Sequence, residues 1–283
     1  MKRAIAKADV LLEALPYLRE FSGKAFVIKY GGSLQDRRED EDSFVRDVVF
    51  LRTAGIWPVV VHGGGKEIGR AQKKLGIEPR HVQGLRVTDA ATMRVAAAVL
   101  GRVNHRIVAH LRNQGAMAVG FSGLRGGVVR ARRKRVGGVD IGFVGDPSGV
   151  FMAPLRLARR EGKIVVLSSV GVGPNGELLN INADAVAGVM AAKLRAAKLV
   201  LMTDVPGIRG SRGGIFSSIT DKRARGLLRS RVVMKGMIPK VRACLNALDY
   251  GVGKAHIIDG RLRHSLLLEI FTTRGIGTEI TRR

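Results

Sequence analysis

Ala25-Phe26-Val27-Ile28-Lys29-Tyr30-Gly31-Gly32-Ser33 decides the architecture, because a short apolar run that ends in a glycine pair is the pattern of a buried parallel strand entering a turn. The pattern recurs at Trp57-Pro58-Val59-Val60-Val61, which leads into His62-Gly63-Gly64-Gly65, and Ala116–Gly120, Ile164–Leu167 and Leu199–Met202 are three further strand-length runs. Between them, apolar spacing predicts helices over Asp42–Arg52, Glu67–Leu75, Asp89–Leu111, Asp184–Ala196 and Pro239–Leu248. Strands alternating with helices predict the α/β class: a largely parallel sheet covered on both faces, a three-layer αβα sandwich. Upstream, Leu11, Ala14, Leu15, Leu18 and Phe21 predict an amphipathic helix over Asp9–Phe21, interrupted near Pro16. Gly126–Pro147 breaks the alternation with the short pieces Val128–Arg130 and Val139–Phe143, a predicted β-hairpin. Beyond the loop Pro206–Gly214, a helix over Asp221–Leu228 and a strand over His256–Asp259 complete a second α/β unit, which sets a boundary between two lobes near Arg195.

The 283 residues are 46% hydrophobic with only 8 Pro, which excludes disorder and collagen-like repeats. A single cysteine, Cys244, excludes an internal disulfide framework and a thiolate zinc cluster, and it fits a reducing compartment such as the cytoplasm. No run approaches the ~18 apolar residues of a membrane span, and the charged start of the chain reads neither as anchor nor as signal peptide. With 49 Lys+Arg against 23 Asp+Glu the formal charge is +26. Such an excess invites polyanions, yet only 5% of residues are aromatic and no aromatic-interleaved platform, zinc-finger spacing or heptad-linked basic region is present, which disfavours nucleic acid. The densest runs, Arg130–Arg135, Arg156–Lys163 and Lys222–Arg231, read as solvated faces or as attraction for anionic substrates.

Five places carry candidate chemistry. The glycine clusters after Lys29 and His62 let backbone N–H groups approach phosphate oxygens, and a helix starting just past Gly65 adds positive dipole; each is otherwise a plain β-to-α turn. Neither a Walker sequence nor GxGxxG is present. In Gly84-Leu85-Arg86-Val87-Thr88-Asp89, Thr88 or Asp89 can cap the following helix, while Arg86 can grip a carboxylate or pair with a neighbouring acid. In Asn180-Ile181-Asn182-Ala183-Asp184, Asn or Asp can cap a helix; alternatively Asn180 orients a substrate and Asp184 positions lysines. Lys240, in Gly236-Met237-Ile238-Pro239-Lys240, puts a cation at the positive start of a proline-introduced helix, a conflict that an anion would resolve. Asp204, in Thr203-Asp204-Val205-Pro206-Gly207, contacts a nucleotide or holds its loop.

In order, IKYGGS, VVVHGGGKEI, GLRVTDAATM, GFVGDP, NINADAVAG, TDVPGI, GMIPKVRACLNAL and HIIDGR resemble the amino-acid kinase family over nearly the whole chain, with GLRVTD, NINAD and GMIPK the most specific. Within the family the likeness is to members that phosphorylate the side-chain carboxylate of N-acetyl-L-glutamate with ATP and Mg2+ to an acyl phosphate. The resemblance implies an N-terminal segment, residues 1–24, that joins protomers, an amino-acid lobe over 25–195 and a nucleotide lobe over 196–283. It implies that Lys29 and Lys240 stabilise the transferred phosphoryl group, organised by Asp184, and that Gly31, Gly32, Gly63 and Gly64 donate N–H groups. Arg86 and Asn180 would bind the amino-acid substrate, and Asp204 and Gly236 would lie on the nucleotide side. No protein-held metal is implied. A carboxylate nucleophile, with an ordinary pKa of about 4.3, needs no general base.

The N-terminal helix, His256, Glu269 and Gly275 further resemble arginine-inhibited members that assemble as homo-oligomers, dimers or hexamers; Glu269 otherwise reads as a surface ion pair. Ser33 departs from the more usual Asn, Lys66 from Pro, and Met234-Lys235-Gly236 from Ser-Gly-Gly, without deleting a catalytic group. Two alternatives stay open. One is a sister kinase for aminoadipate or glutamate borne on a small acidic carrier protein, for which a basic face is useful. The other is a non-catalytic anion or nucleic-acid binder, which the intact set Lys29, Arg86, Asp184 and Lys240 opposes.

Overall fold

The computed structural model describes residues 1–35, 37–123, 126–210, 213–230, 233, 236–273 and 275–282, with side chains for all of these except 2–4, 6–8, 10, 11 and 33. Met234, Lys235 and the Ser33 side chain therefore lie outside the described residues. Eight strands form the central sheet in the order Ser218–Thr220, Thr278–Thr281, Lys254–Asp259, Lys198–Thr203, Ala25–Tyr30, Trp57–His62, Ile164–Ser168, Ala118–Phe121. All neighbours run parallel except Lys254–Asp259 and Thr278–Thr281, which are antiparallel. The middle strands are buried at every position, which is why they read as continuous apolar runs.

Side-chain alternation sends each strand into two cores. Ala25 and Val27 pack on one face with Val186, Met190, Val241 and Leu248 of the helices Ala183–Leu194 and Ile238–Asp249. Phe26, Ile28 and Tyr30 pack on the other with Val48, Leu100, Ile107 and Leu266 of the helices Arg38–Thr53, Ala90–Asn113 and Ser265–Phe271. This is the three-layer α/β sandwich that the alternation predicts. The same period of two puts Lys29 on the face of the helix Ala183–Leu194. In the next strand it puts His62 on the face of the helix Ala90–Asn113.

Four strands, Val129–Val136, Val139–Val150, Val170–Val172 and Leu178–Ile181, close a small barrel beside the sheet. The predicted hairpin is there but longer, paired from Val129↔Val150 to Val136↔Val139. Its arginines hide its period: Val129, Ala131 and Val136 are buried while Arg130, Arg132 and Arg135 are exposed, and charged residues carry little strand propensity.

Three further expectations are corrected. The N-terminal helix is a single piece, Lys2–Phe21, uninterrupted at Pro16. A proline removes only one helical hydrogen bond, and the residues after it are anchored by tertiary contacts: Tyr17 and Leu18 pack on the core, and Tyr17 meets Phe271 edge-on at 6.3 Å. The helix expected to reach Ala196 ends at Leu194, because Arg195 turns left-handed at φ 46°. The strand expected from Ala116 starts at Ala118, since the Ala116 amide still closes the preceding helix on the Leu111 carbonyl. The helices Ala153–Arg160 and Ser265–Phe271 were not foreshadowed by any glycine-bounded apolar run.

Candidate functional site

The two glycine turns lie at the carboxyl ends of adjacent parallel strands, paired Lys29↔Val61 and Tyr30↔His62, where open α/β sheets bind ligands. They face one another closely. A β-carbon on Gly32 would sit 3.5 Å from the Gly65 nitrogen and 3.8 Å from the Gly64 nitrogen, and one on Gly64 would come within 3.0 Å of Leu100 Cδ2. Gly64 is the N-cap of the helix Gly65–Lys74, so the dipole expected from the sequence points at this gap.

Asp184 joins the two sides of the site. Its Oδ1 pairs with Lys29 Nζ at 3.0 Å and its Oδ2 accepts from Lys240 Nζ at 2.8 Å. Asn182 caps the helix, accepting from the amides of Asp184 at 2.8 Å and Ala185 at 3.2 Å, so the asparagine does the capping and frees the Asp184 carboxylate for the lysines. Burial pushes the Asp184 carboxyl up, but the two ammonium groups outweigh it and hold its pKa at about 2. Burial in turn draws the Lys29 ammonium below the ordinary lysine range, against the pull of Asp184. The cation at the positive start of the helix Ile238–Asp249 thus meets an anion from its own chain.

Two cavities share Lys29 and Gly32. The first, of ≈ 260 Å³, is lined by Gly63, Gly64, Arg86, Ser169, Asn180, Asn182 and Asp184 among others. Arg86 donates to Gln72 Oε1 and, at 3.0 Å, to the Gly65 carbonyl; both partners are neutral, so the acid pair allowed by its spacing is not what holds it. Thr88, whose amide bonds the Ile141 carbonyl of the barrel, takes a hydrogen bond from Asn180 Nδ2 at 3.3 Å, and Asp89 caps the next helix at the Thr92 amide, 2.7 Å away. The second cavity, of ≈ 380 Å³, is lined by Gly31, Thr203, Asp204, Gly236 and Lys240 together with the apolar Val205, Ile208, Val233 and Met237. Asp204 accepts from Thr203 Oγ1 at 3.3 Å.

His256, Glu269 and Gly275 come together away from both cavities. Glu269 is not the surface ion pair weighed from its sequence position: it is buried, with Oε1 2.6 Å from His256 Nδ1 and Oε2 accepting from the Ile276 and Gly277 amides at 2.7 and 3.1 Å. His256 Nε2 lies 3.1 Å from Lys198 Nζ. Ser169, which lines the first cavity, Gln72, which accepts from Arg86, and Gln35, which donates to the Gly63 carbonyl, carry no signal in the sequence; only their placement in space marks them.

A model of the amino acid kinase family matches residues 24–259, and the chain belongs to that family. Acetylglutamate kinase of Symbiobacterium thermophilum is 47% identical over 291 residues, covering 99% of each chain, and that of Geotalea uraniireducens is 49% identical over 290 residues with the same coverage. Among solved structures, N-acetylglutamate synthase from Neisseria gonorrhoeae, complexed with coenzyme A and N-acetyl-glutamate, superimposes with a TM-score of 0.89 at 28% identity over 98% of this chain. This chain spans 63% of that synthase. Carbamate kinase from Giardia lamblia bound to AMP-PNP shares the fold alone, with a TM-score of 0.69 at 14% identity over 92% of this chain and 99% of that one.

Proposed function

We propose that the protein transfers the terminal phosphoryl group of ATP to the side-chain carboxylate of N-acetyl-L-glutamate, giving an acyl phosphate and ADP, a step of arginine biosynthesis. The observation that supports this best is one carboxylate, Asp184, holding two lysines between two cavities, because phosphoryl transfer to a carboxylate must bring two anions face to face. Lys29 and Lys240 neutralise the charge that spreads over the transferred group, and Asp184 aims them. Gly31, Gly32, Gly63 and Gly64 supply amide hydrogens; Arg86 and Asn180 hold the amino-acid substrate in the smaller cavity. Asp204, Gly236 and the apolar wall of Ile208 and Met237 face the nucleotide in the larger one. On this reading residues 25–195 form the amino-acid lobe and 196–283 the nucleotide lobe.

Both oxygens of Asp184 are taken by ammonium groups, so a magnesium ion carried in on the nucleotide would be held by the phosphates and water rather than by that carboxylate. It would supply charge neutralisation on those phosphates.

ADP release from purified protein with MgATP and N-acetyl-L-glutamate tests the assignment. Turnover with the free acetylated acid supports it, and turnover confined to a carrier-borne aminoadipate or glutamate overturns it. Two regulatory expectations belong to the same reading. Arginine would act at the His256, Glu269 and Gly275 cluster, checked by titrating arginine into the assay. The exposed Ile5, Leu12 and Leu15 of the N-terminal helix would join protomers, checked by light scattering with residues 1–21 removed.

A further inference from the structure

We infer that His62 and Gln35 act as a clasp behind the phosphate cradle, fixing the direction of the Gly64 amide, and that both are positioning residues for phosphoryl transfer; this rests on the kinase reading above. The Gly63 carbonyl is held by two side chains at once, His62 Nδ1 at 3.1 Å and Gln35 Nε2 at 3.1 Å. The Gly63–Gly64 peptide is trans, as are all described peptides, so its carbonyl and its N–H point opposite ways. Drawing the carbonyl back into the protein therefore turns the Gly64 N–H forward, to the side on which Gly64 lines the smaller cavity and its nitrogen faces Gly32.

A peptide between two glycines has little steric preference of its own and rotates readily, so a donor of fixed direction here needs an external hold. His62 is built to provide it. The ring is wholly buried, and its Nε2 lies 3.1 Å from Asn104 Nδ2, which also lies 3.0 Å from the Val166 carbonyl. An amide nitrogen can only donate, so Nε2 accepts and Nδ1 carries the hydrogen that the Gly63 carbonyl receives. Burial supports the same neutral state, drawing the ring's pKa down to about 4. Gln35 is buried as well, although its Oε1 has no hydrogen-bond partner among the described residues, so its Nε2 contact to Gly63 is the polar interaction its burial serves.

The test compares Gln35→Met, His62→Gln and His62→Asn in the full chain by steady-state ADP release, with circular dichroism and thermal melting alongside. Asparagine places an amide nitrogen near the position of Nδ1 and keeps the Gly63 contact; glutamine places its polar end near Nε2, facing Asn104, and leaves the carbonyl unclasped. We expect Gln35→Met and His62→Gln to lower kcat about 10- to 100-fold, with KM for both substrates within about threefold of the parent. His62→Asn should recover most of the loss. A normal kcat in Gln35→Met, or equal defects in the two His62 variants with folding intact, would overturn the clasp. Should the His62 variants fail to fold, Gln35→Met alone still decides. No ADP release from the parent chain with any N-acetyl-L-glutamate concentration is a separate outcome, which overturns the kinase reading and the clasp with it.

Discussion

Lys240 and Arg86 are both cations at the edge of a cavity, yet their surroundings differ. Lys240 shares Asp184 with Lys29 where the two cavities meet, whereas Arg86 rests on Gln72 and Gly65 in the wall of the smaller one. Lys240→Ala should lower kcat by about 10²- to 10³-fold, since it removes charge stabilisation that matters most at the transition state. Arg86→Ala should instead raise KM for the amino-acid substrate by roughly 10- to 100-fold, the loss of one charge-assisted contact. Equal effects on kcat and KM in the two variants, measured by initial rates, would contradict this division.

His62 carries a stability prediction of defined sign. Its pKa falls from 6.5 to about 4 on folding, chiefly through burial, with Arg106 the charged group acting in the same direction. The unfolded chain therefore binds a proton first, so stability is lost as pH drops from about 6.5 to about 4 and levels off below, by roughly 3 kcal/mol in all. Urea unfolding across that range should show a steeper slope in the parent chain than in His62→Asn, where buried His256, whose pKa burial also lowers, keeps its own share. Asp184 works lower on the scale: its pKa is held at about 2 by Lys29 and Lys240, so its contribution is whole above about 4 and fades as pH falls towards 2.

Elements deliver these residues, and their ends matter more than their middles. Lys29 is the last residue but one of its strand, Gly64 caps one helix, and Asn182 caps the helix whose second residue is Asp184. Asn182→Ala should cost about 1 kcal/mol of stability through the lost cap. It should also lower kcat, because the two released amides no longer fix the turn that aims Asp184. A melt and a rate measurement on one sample separate the two effects; a variant less stable but equally fast would confine Asn182 to capping. Legibility varied with the element. Apolar strands and glycine turns were readable because a strand buried on both faces must be apolar throughout and a tight turn needs a missing β-carbon. The continuity of the helix through Pro16 and the full length of the arginine-rich hairpin were not legible, because contacts with Phe271 and with the barrel interior override local preference.

At the scale of the whole molecule, a formal charge of +26 repels itself and attracts anions. Both effects weaken with salt, whose screening length falls from about 30 Å at 0.01 M to about 10 Å at 0.1 M. Raising ionic strength across that interval should raise the melting temperature while lowering kcat/KM for the two anionic substrates, with kcat nearly constant. A melting temperature that falls with added salt would show that the surface ion pairs, such as Lys134 with Asp146 and Arg225 with Asp249, outweigh the net repulsion.

The amino-acid order by itself determined the α/β class and the two glycine turns, and it marked Lys29, Arg86, Asn180, Asp184 and Lys240 as candidate site residues, because each is a polar residue beside a turn or at the end of a periodic run. Only the tertiary structure decided that Asp184 binds both lysines, that Asn182 rather than Asp184 is the cap, that Glu269 is buried, and that Gln35 reaches the Gly63 carbonyl. The reason is physical. Periodicity records which face of an element is buried, whereas a hydrogen bond between residues 28 apart in sequence, or an ion pair 56 apart, depends on how strands and helices are placed beside one another.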